Sequence, residues 1–106
     1  YVTAKHGLEG LSKVVALEGA PHGVTSVPVN PAYVRTPLVE KQIADQARTH
    51  GISEDEVIEK IMLTRSHVKR LIEPEEVAEL VLFLTGPASA SMSGTSYPID
   101  GAWTAY

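Results

Sequence analysis

The sequence contains no cysteine, which excludes disulfides, thiolate metal sites and cysteine nucleophiles. It has no apolar run close to the ~18–20 residues that a membrane span requires, and we expect no signal peptide at its start. The formal net charge is −4 and the basic residues are scattered, which argues against nucleic-acid binding. The 4 histidines lack the spacing of metal ligands, so we expect no metal site. These absences predict a cytoplasmic protein that binds neither membranes nor nucleic acids.

The pattern that is present alternates between helix and strand. A length of 106 residues suits one small domain or a portion of a larger one. Residues 1–19 and 74–85 carry apolar residues at helical spacing, whereas residues 24–30 and 95–99 are typical of strands. Residues 37–70 form a helical excursion between the two strands. This order predicts an α/β protein with a parallel sheet, in which right-handed crossovers connect the strands.

Local signals predict where the helices of the excursion begin. Thr36 precedes a proline and is typical of an N-cap, which predicts a helix over 37–50. Ser53 and Glu56 have the spacing of a capping box, which predicts a second helix over 54–64. In the last helix we expect a buried apolar stripe formed by Val77, Leu80, Val81 and Leu84.

The pair formed by Tyr1 and Lys5 could carry proton-transfer chemistry. Residues four apart on a helix share one face, with about 5–6 Å between their Cβ atoms. An ammonium close to a phenol favours the phenolate, so such a tyrosine can act as a general acid or base near neutral pH. An isolated pair of this kind is more often a surface contact, and other motifs have to decide between the two interpretations.

Four motifs in order resemble those of the short-chain dehydrogenase/reductase family. Residues 1–7 are similar to its Tyr-x-x-x-Lys active-site helix, and residues 30–36 to its Pro-Gly-x-Val-x-Thr cofactor loop. Residues 73–78 and 93–101 are similar to its last helix and last strand. The resemblance covers the whole chain and implies the C-terminal part of a Rossmann-type doubly wound parallel sheet. The N-terminal strands, the glycine-rich turn and the catalytic serine of that fold are then expected upstream of residue 1.

The resemblance implies catalytic roles for Tyr1 and Lys5. Tyr1 would be the general acid/base that exchanges a proton with the alcohol or carbonyl oxygen of the substrate. Lys5 would hold the ribose hydroxyls of the nicotinamide and favour the tyrosinate. The implied cofactor is NAD, with NADP left open, and the cofactor would carry the hydride.

The resemblance also implies a cofactor-binding role for the loop over residues 31–36. Val34 and Thr36 would contact the nicotinamide carboxamide and the cofactor phosphates, and Pro31 would shape the loop. Ala32 stands where the family usually has glycine, so it would narrow the accessible dihedral angles and the approach of the cofactor. The alternative is a simple proline-rich turn.

Within the family, two segments resemble the subgroup of D-3-hydroxybutyrate dehydrogenases: residues 35–42 and the C-terminal Trp103-Thr104-Ala105. This implies that Gln42 holds the substrate carboxylate and that residues 37–70 are a mobile substrate lid. The substrate would be a small hydroxy acid or ketone, namely 3-hydroxybutyrate or acetoacetate.

The implied assembly is a homo-oligomer, a tetramer built on the first and last helices. The chain alone is expected to be inactive, because it would lack the N-terminal half of the fold. Two other interpretations stay open: a non-catalytic oligomerisation or binding remnant, and a family oxidoreductase for a different alcohol.

Overall fold

A computed structural model describes residues 1–105 of the chain. Their helices are α1 (Val2–Gly19), α2 (Pro37–His50), α3 (Glu54–Val57) and α4 (Pro74–Leu84), and their strands are β1 (Val29–Pro31) and β2 (Tyr97–Ile99). Short 3₁₀ turns follow α1 at Ala20–His22 and α4 at Pro87–Ser89, and α3 continues into a π-helical turn at Ile58–Met62. Within this described part, no helix combines the length and the apolar character needed to cross a membrane.

Strands β1 and β2 lie side by side in a small parallel sheet, which confirms the predicted α/β class. The Tyr97 N–H donates to the Pro28 carbonyl over 2.9 Å. The Ala32 N–H donates to the Ile99 carbonyl, also over 2.9 Å. Strand β2 is two residues shorter than the predicted 95–99.

Strand β1 differs more clearly from the prediction, which placed a strand over 24–30. Most of that segment is not paired as a strand. Pro28 has no N–H to donate to a ladder, so the pairing cannot continue regularly through it. The Ser26 N–H donates to the Ser93 hydroxyl oxygen over 3.0 Å and not to a carbonyl of a neighbouring strand. The β-branched composition therefore predicted the location of the strand correctly and its length wrongly.

The predicted caps of the excursion are confirmed. The Thr36 hydroxyl accepts a hydrogen bond from the Val39 N–H over 3.3 Å at the start of α2. Gly51 ends this helix with a φ of 65°, a left-handed conformation that favours glycine. Ser53 and Glu56 form the reciprocal capping box at the start of α3.

The second helix of the excursion ends earlier than the predicted 54–64. After α3 the backbone widens into the π turn, in which the Leu63 N–H donates to the Ile58 carbonyl over 2.9 Å. Met62 and Leu63, at the end of this turn, are both buried. The helix therefore stops where the chain enters the core.

The chain divides into two compact units. The first unit comprises Tyr1–Asn30 with Ala78–Pro98, and the second comprises Pro31–Val77 with the residues from Ile99 onward.

The second unit contains a buried apolar core. Five residues form this core, each of them 7% exposed or less: Ile43, Val57, Met62, Leu63 and Leu71. Half-buried side chains that include Tyr33, Val39 and Ile52 pack against it. The excursion is therefore a packed structure rather than an open loop.

In the first unit, by contrast, helix α1 leaves its apolar side chains exposed. Ala16 is its buried residue, whereas Leu17 is 78% exposed. The other exposed apolar residues of α1 are Val2, Leu8, Leu11, Val14 and Val15. Exposed apolar surface of this kind is typical of faces that contact other protein.

The prediction of a buried stripe on α4 is wrong. No residue of this helix is buried, and Val81 is 45% exposed. Val77, Leu80 and Leu84 are half-buried. An apolar stripe is buried only where another element covers it, and among the described residues this cover is incomplete.

Candidate active site

Tyr1 and Lys5 lie together at the start of α1, in the first unit. Tyr1 is the residue that precedes the helix, and its carbonyl accepts the first helical hydrogen bond from the Lys5 N–H over 3.0 Å. The Lys5 ammonium lies over the Tyr1 ring, with Nζ 5.6 Å from the ring centroid. This contact is a cation–π interaction. The Tyr1 side chain is 92% exposed, so its hydroxyl is accessible to a small molecule.

A hydrogen-bond network that the sequence analysis missed surrounds Glu9, also in the first unit. Its carboxylate accepts hydrogen bonds from the Ser96 hydroxyl over 2.5 Å and from the Asn30 side-chain amide over 2.8 Å. These hydrogen bonds, that from Ser96 most of all, lower the pKa of Glu9 below its usual range. The network joins α1, one turn after Lys5, to Asn30 of β1 and to Ser96, the residue that precedes β2. It therefore fixes the position of the helix that carries Tyr1.

The cofactor-type loop lies in the second unit and is held by a parallel bridge between Val34 and Ile72. The Arg35 N–H donates to the Ile72 carbonyl over 2.8 Å, and the Ile72 N–H donates to the Tyr33 carbonyl over 2.9 Å. In this parallel bridge Ile72 makes both hydrogen bonds, and its partners are the two neighbours of Val34 and not Val34 itself. The N–H and carbonyl of Val34 point away and have no partner among residues 1–105. They are free to bind an amide group.

Thr36 and Ala32 occupy positions in this loop that are compatible with an anionic ligand. The Thr36 hydroxyl accepts from Val39 as the N-cap of α2, and its own proton remains available for donation. The N-terminus of a helix as long as α2 favours negative charge. Ala32 has no positive φ, so the alanine at this position introduces no backbone strain. Pro31, the last residue of β1, begins the loop.

Two ion pairs hold the loop and the end of the excursion within the second unit. The Arg35 Nε donates to the Glu73 carboxylate over 3.0 Å. The Arg70 guanidinium binds both oxygens of Glu76, over 2.6 and 2.9 Å. The hydrogen bonds from Arg70 come first among the causes that lower the pKa of Glu76 to about 2. The excursion therefore begins and ends at one place.

The tight turn over 100–103 brings an aromatic pair together beside the same loop. Gly101 and Ala102 both have positive φ, 60° and 69°, and the Trp103 N–H donates to the Asp100 carbonyl over 3.2 Å. Hydrogen bonds from Thr104, its hydroxyl first, lower the pKa of Asp100. The turn places the Trp103 ring 6.4 Å from that of Tyr33, at an angle of 54°.

A cleft of about 160 Å³ lies near this turn, within the second unit. Ala32 and Tyr33 of the loop line it, together with Ser66, Arg70 and Asp100. The cleft therefore begins at residues of the loop and is bordered by the end of the excursion.

Gln42, the remaining site residue predicted from sequence, is exposed on the second turn of α2. The structure thus brings Tyr1 and Lys5 together in the first unit, whereas the loop over 31–36 and Gln42 belong to the second. The histidines are exposed, namely His6, His22, His50 and His67. Residues 1–105 contain no cluster of histidine and carboxylate side chains suited to a metal ion.

Comparisons with known proteins identify similar chains. A sequence model described as enoyl-(acyl carrier protein) reductase matches residues 1–104. The D-beta-hydroxybutyrate dehydrogenase of Rhizobium meliloti (strain 1021) is 54% identical over 105 residues, which cover 99% of this chain and 41% of that protein.

Solved structures give the same result for the fold. A short chain dehydrogenase family protein from Francisella tularensis subsp. tularensis SCHU S4 has a TM-score of 0.89 and 34% identity, covering 100% of this chain and 43% of that one. A variant of actinorhodin polyketide ketoreductase with NADPH has a TM-score of 0.83 and 31% identity, with coverage of 100% and 40%. The chain spans about two fifths of the length of these relatives.

Proposed function

Because the chain belongs to the short-chain dehydrogenase/reductase family, we propose that it is the C-terminal part of a nicotinamide-dependent oxidoreductase that acts on a small hydroxy acid or ketone. The observation that carries this proposal is the Lys5 ammonium over the accessible Tyr1 ring. A tyrosine and a lysine four residues apart on a surface helix would not by themselves indicate a catalytic site. Here they begin α1 in a chain that matches the family from residue 1 to residue 104.

Tyr1 is the proposed catalytic acid/base. In the oxidation direction the substrate hydroxyl gives its proton to the tyrosinate oxygen of Tyr1 while its carbon loses a hydride. The Lys5 ammonium, which lies over the Tyr1 ring, would hold the ribose hydroxyls of the cofactor. A bound nicotinamide supplies the hydride acceptor. Reduction runs the same steps in reverse, with the Tyr1 phenol as the proton donor.

The loop over residues 31–36 is the proposed cofactor-binding segment. The free backbone N–H and carbonyl of Val34 match the donor and acceptor of a carboxamide. The Thr36 hydroxyl, at the start of α2, suits a phosphate oxygen. Pro31 and Ala32 shape the loop with no left-handed residue. NAD is the proposed form of the cofactor, and NADP is the alternative that the assay below includes.

The proposed substrate pair is 3-hydroxybutyrate and acetoacetate. Its support is the likeness to the D-beta-hydroxybutyrate dehydrogenase of Rhizobium meliloti at 54% identity. Gln42 would bind the substrate carboxylate by its side-chain amide, and residues 37–70 would act as a lid over the substrate. We further propose a cytoplasmic homotetramer, in which the exposed apolar residues of α1 contact a neighbouring copy.

The test uses the intact gene product that contains these residues. It is assayed with 3-hydroxybutyrate and either NAD or NADP by the absorbance of the reduced nicotinamide. Tyr1→Phe should lower kcat by about 10²–10⁴-fold while cofactor binding persists, because the phenol hydroxyl is the proton carrier. Tyr97→Phe is the matched control in the same unit and should retain wild-type turnover.

Three outcomes would contradict the proposal in different ways. Turnover of another alcohol but not of 3-hydroxybutyrate would change the substrate and keep the family chemistry. Equal activity of Tyr1→Phe and wild type would remove Tyr1 from catalysis. A gene product of 11.4 kDa that binds no nicotinamide cofactor would favour the non-catalytic oligomerisation or binding module.

A further inference from the structure

One arginine of the second unit differs from the others in its surroundings. Arg35, Arg48 and Arg70 each pair with a carboxylate. No carboxylate within the described chain pairs with Arg65, whose side chain is exposed. An arginine that keeps its charge without a carboxylate partner retains its capacity to bind an anion.

The Arg65 guanidinium is not loose in solvent, because it lies over the ring of Trp103. Its Cζ atom is 5.7 Å from the ring centroid, within the range of a cation–π contact. Trp103 in turn packs against Tyr33 of the cofactor-type loop. The cation–π contact involves the charge of the guanidinium and not its N–H donors. Those donors remain available to a ligand that provides hydrogen-bond acceptors.

The backbone next to Arg65 is fixed by hydrogen bonds to the turn over 100–103. The Ser66 hydroxyl, in a side chain that is 4% exposed, donates to the Val68 carbonyl over 2.9 Å. The His67 N–H donates to the Gly101 carbonyl over 2.8 Å. A cation whose backbone and aromatic support are already ordered loses less entropy when it binds a ligand.

We propose that Arg65 binds the carboxylate of the substrate and thereby selects hydroxy acids over neutral alcohols. This proposal rests on the proposed function, since it names a specificity-determining residue of the same site. The planar guanidinium can present two parallel N–H donors to a carboxylate, an arrangement that an amide side chain such as Gln42 cannot match. Arg65 supplies the charge, and the Trp103 ring holds that charge beside the loop.

The test compares two substrates in the intact protein: 3-hydroxybutyrate and its methyl ester, which lacks the carboxylate charge. Arg65→Gln should raise the KM for the acid by about ten- to hundredfold, the effect of losing a charge-assisted hydrogen bond, and change the KM for the ester by less than about threefold. Arg65→Lys keeps the charge without the planar donor pair and should fall between Arg65→Gln and wild type. Lys13→Gln, which removes an equal charge from the exposed surface of α1, should leave both KM values unchanged.

The outcomes separate this inference from the proposed function. If wild type oxidises neither compound with NAD or NADP, the proposed substrate is wrong and the role of Arg65 fails with it. If wild type oxidises the acid and Arg65→Gln retains its KM, the role of Arg65 alone is overturned. Equal losses for acid and ester would also overturn it, because they would indicate a structural effect.

Discussion

Gly101→Ala tests whether the turn over 100–103 needs glycine for two separate reasons. Gly101 has a φ of 60°, a conformation that L-residues rarely adopt. A Cβ atom at this position would overlap the Ser66 hydroxyl and would lie 3.1 Å from the Val68 Cβ. Ser66 is buried, and its hydroxyl bonds the backbone of this segment. The losses in the free energy of unfolding from backbone strain and from the steric clash should therefore add.

The expected loss follows from these two terms. The left-handed conformation costs an alanine about 1–2 kcal/mol. Displacing the Ser66 hydroxyl from its buried acceptors costs about 1–3 kcal/mol more. Gly101→Ala should therefore lower the free energy of unfolding by about 2–5 kcal/mol, before a gain of about 0.4–1 kcal/mol from the stiffer unfolded chain.

Gly51→Ala is the matched control for the backbone term. Gly51 has a φ of 65° in the same unit, and a Cβ there would meet no atom within 4 Å. Subtracting its effect from that of Gly101→Ala leaves the clash with Ser66, expected to be about 1–3 kcal/mol. Urea unfolding of the intact protein followed by circular dichroism measures both values.

A double-mutant cycle with Ser66→Ala then tests the assigned cause. Removing the Ser66 hydroxyl should lower the free energy of unfolding less in the Gly101→Ala background than in wild type, because the clash has already displaced this hydroxyl. Equal losses for Gly101→Ala and Gly51→Ala, or no coupling in the cycle, would refute the reasoning.

Three further predictions concern the same unit. Ala102→Gly should raise the free energy of unfolding by about 0.5–1 kcal/mol, because it relieves a φ of 69° and pays only the greater entropy of glycine; a lower Tm would contradict this. The pKa of Glu76 is about 2 in the folded chain against an ordinary 4.5, so its stabilising contribution is complete above pH 4.5 and is lost as the pH falls towards 2. Glu76→Gln should therefore reduce the loss of Tm across that window, and an unchanged acid profile would exclude the pair with Arg70 as its cause. Leu71→Ala should cost about 2–5 kcal/mol in urea unfolding because Leu71 is 1% exposed, whereas Leu38→Ala, at 68% exposure, should cost far less; similar losses would refute the proposed core.

The features that the sequence predicted well are local ones. The N-cap of Thr36 and the capping box of Ser53 and Glu56 depend on residues within three positions, so their spacing is sufficient. The family motifs are likewise short, and the family that they indicated is confirmed by the match over residues 1–104.

The features that the sequence did not predict depend on distant partners. Ser96 lies 87 positions after Glu9, and nothing in either segment indicates that they meet. Leu71 follows a stretch without helical or strand periodicity, and its burial arises from packing against the core of the second unit. The extent of β1 depended on where the N–H of Ser26 found an acceptor, which composition does not encode.

The bridge between Val34 and Ile72 has a consequence for how such proteins diversify. Paired strands lie about 4.7–4.9 Å apart, so the two ends of the segment between Val34 and Ile72 lie next to each other. Changing the length of a closed segment costs little, about 0.6 kcal/mol for each doubling. The segment also brings its own buried core, from Ile43 to Leu71. Grafting another segment between Val34 and Ile72 should therefore replace the excursion and leave Tyr1 and α1 unchanged.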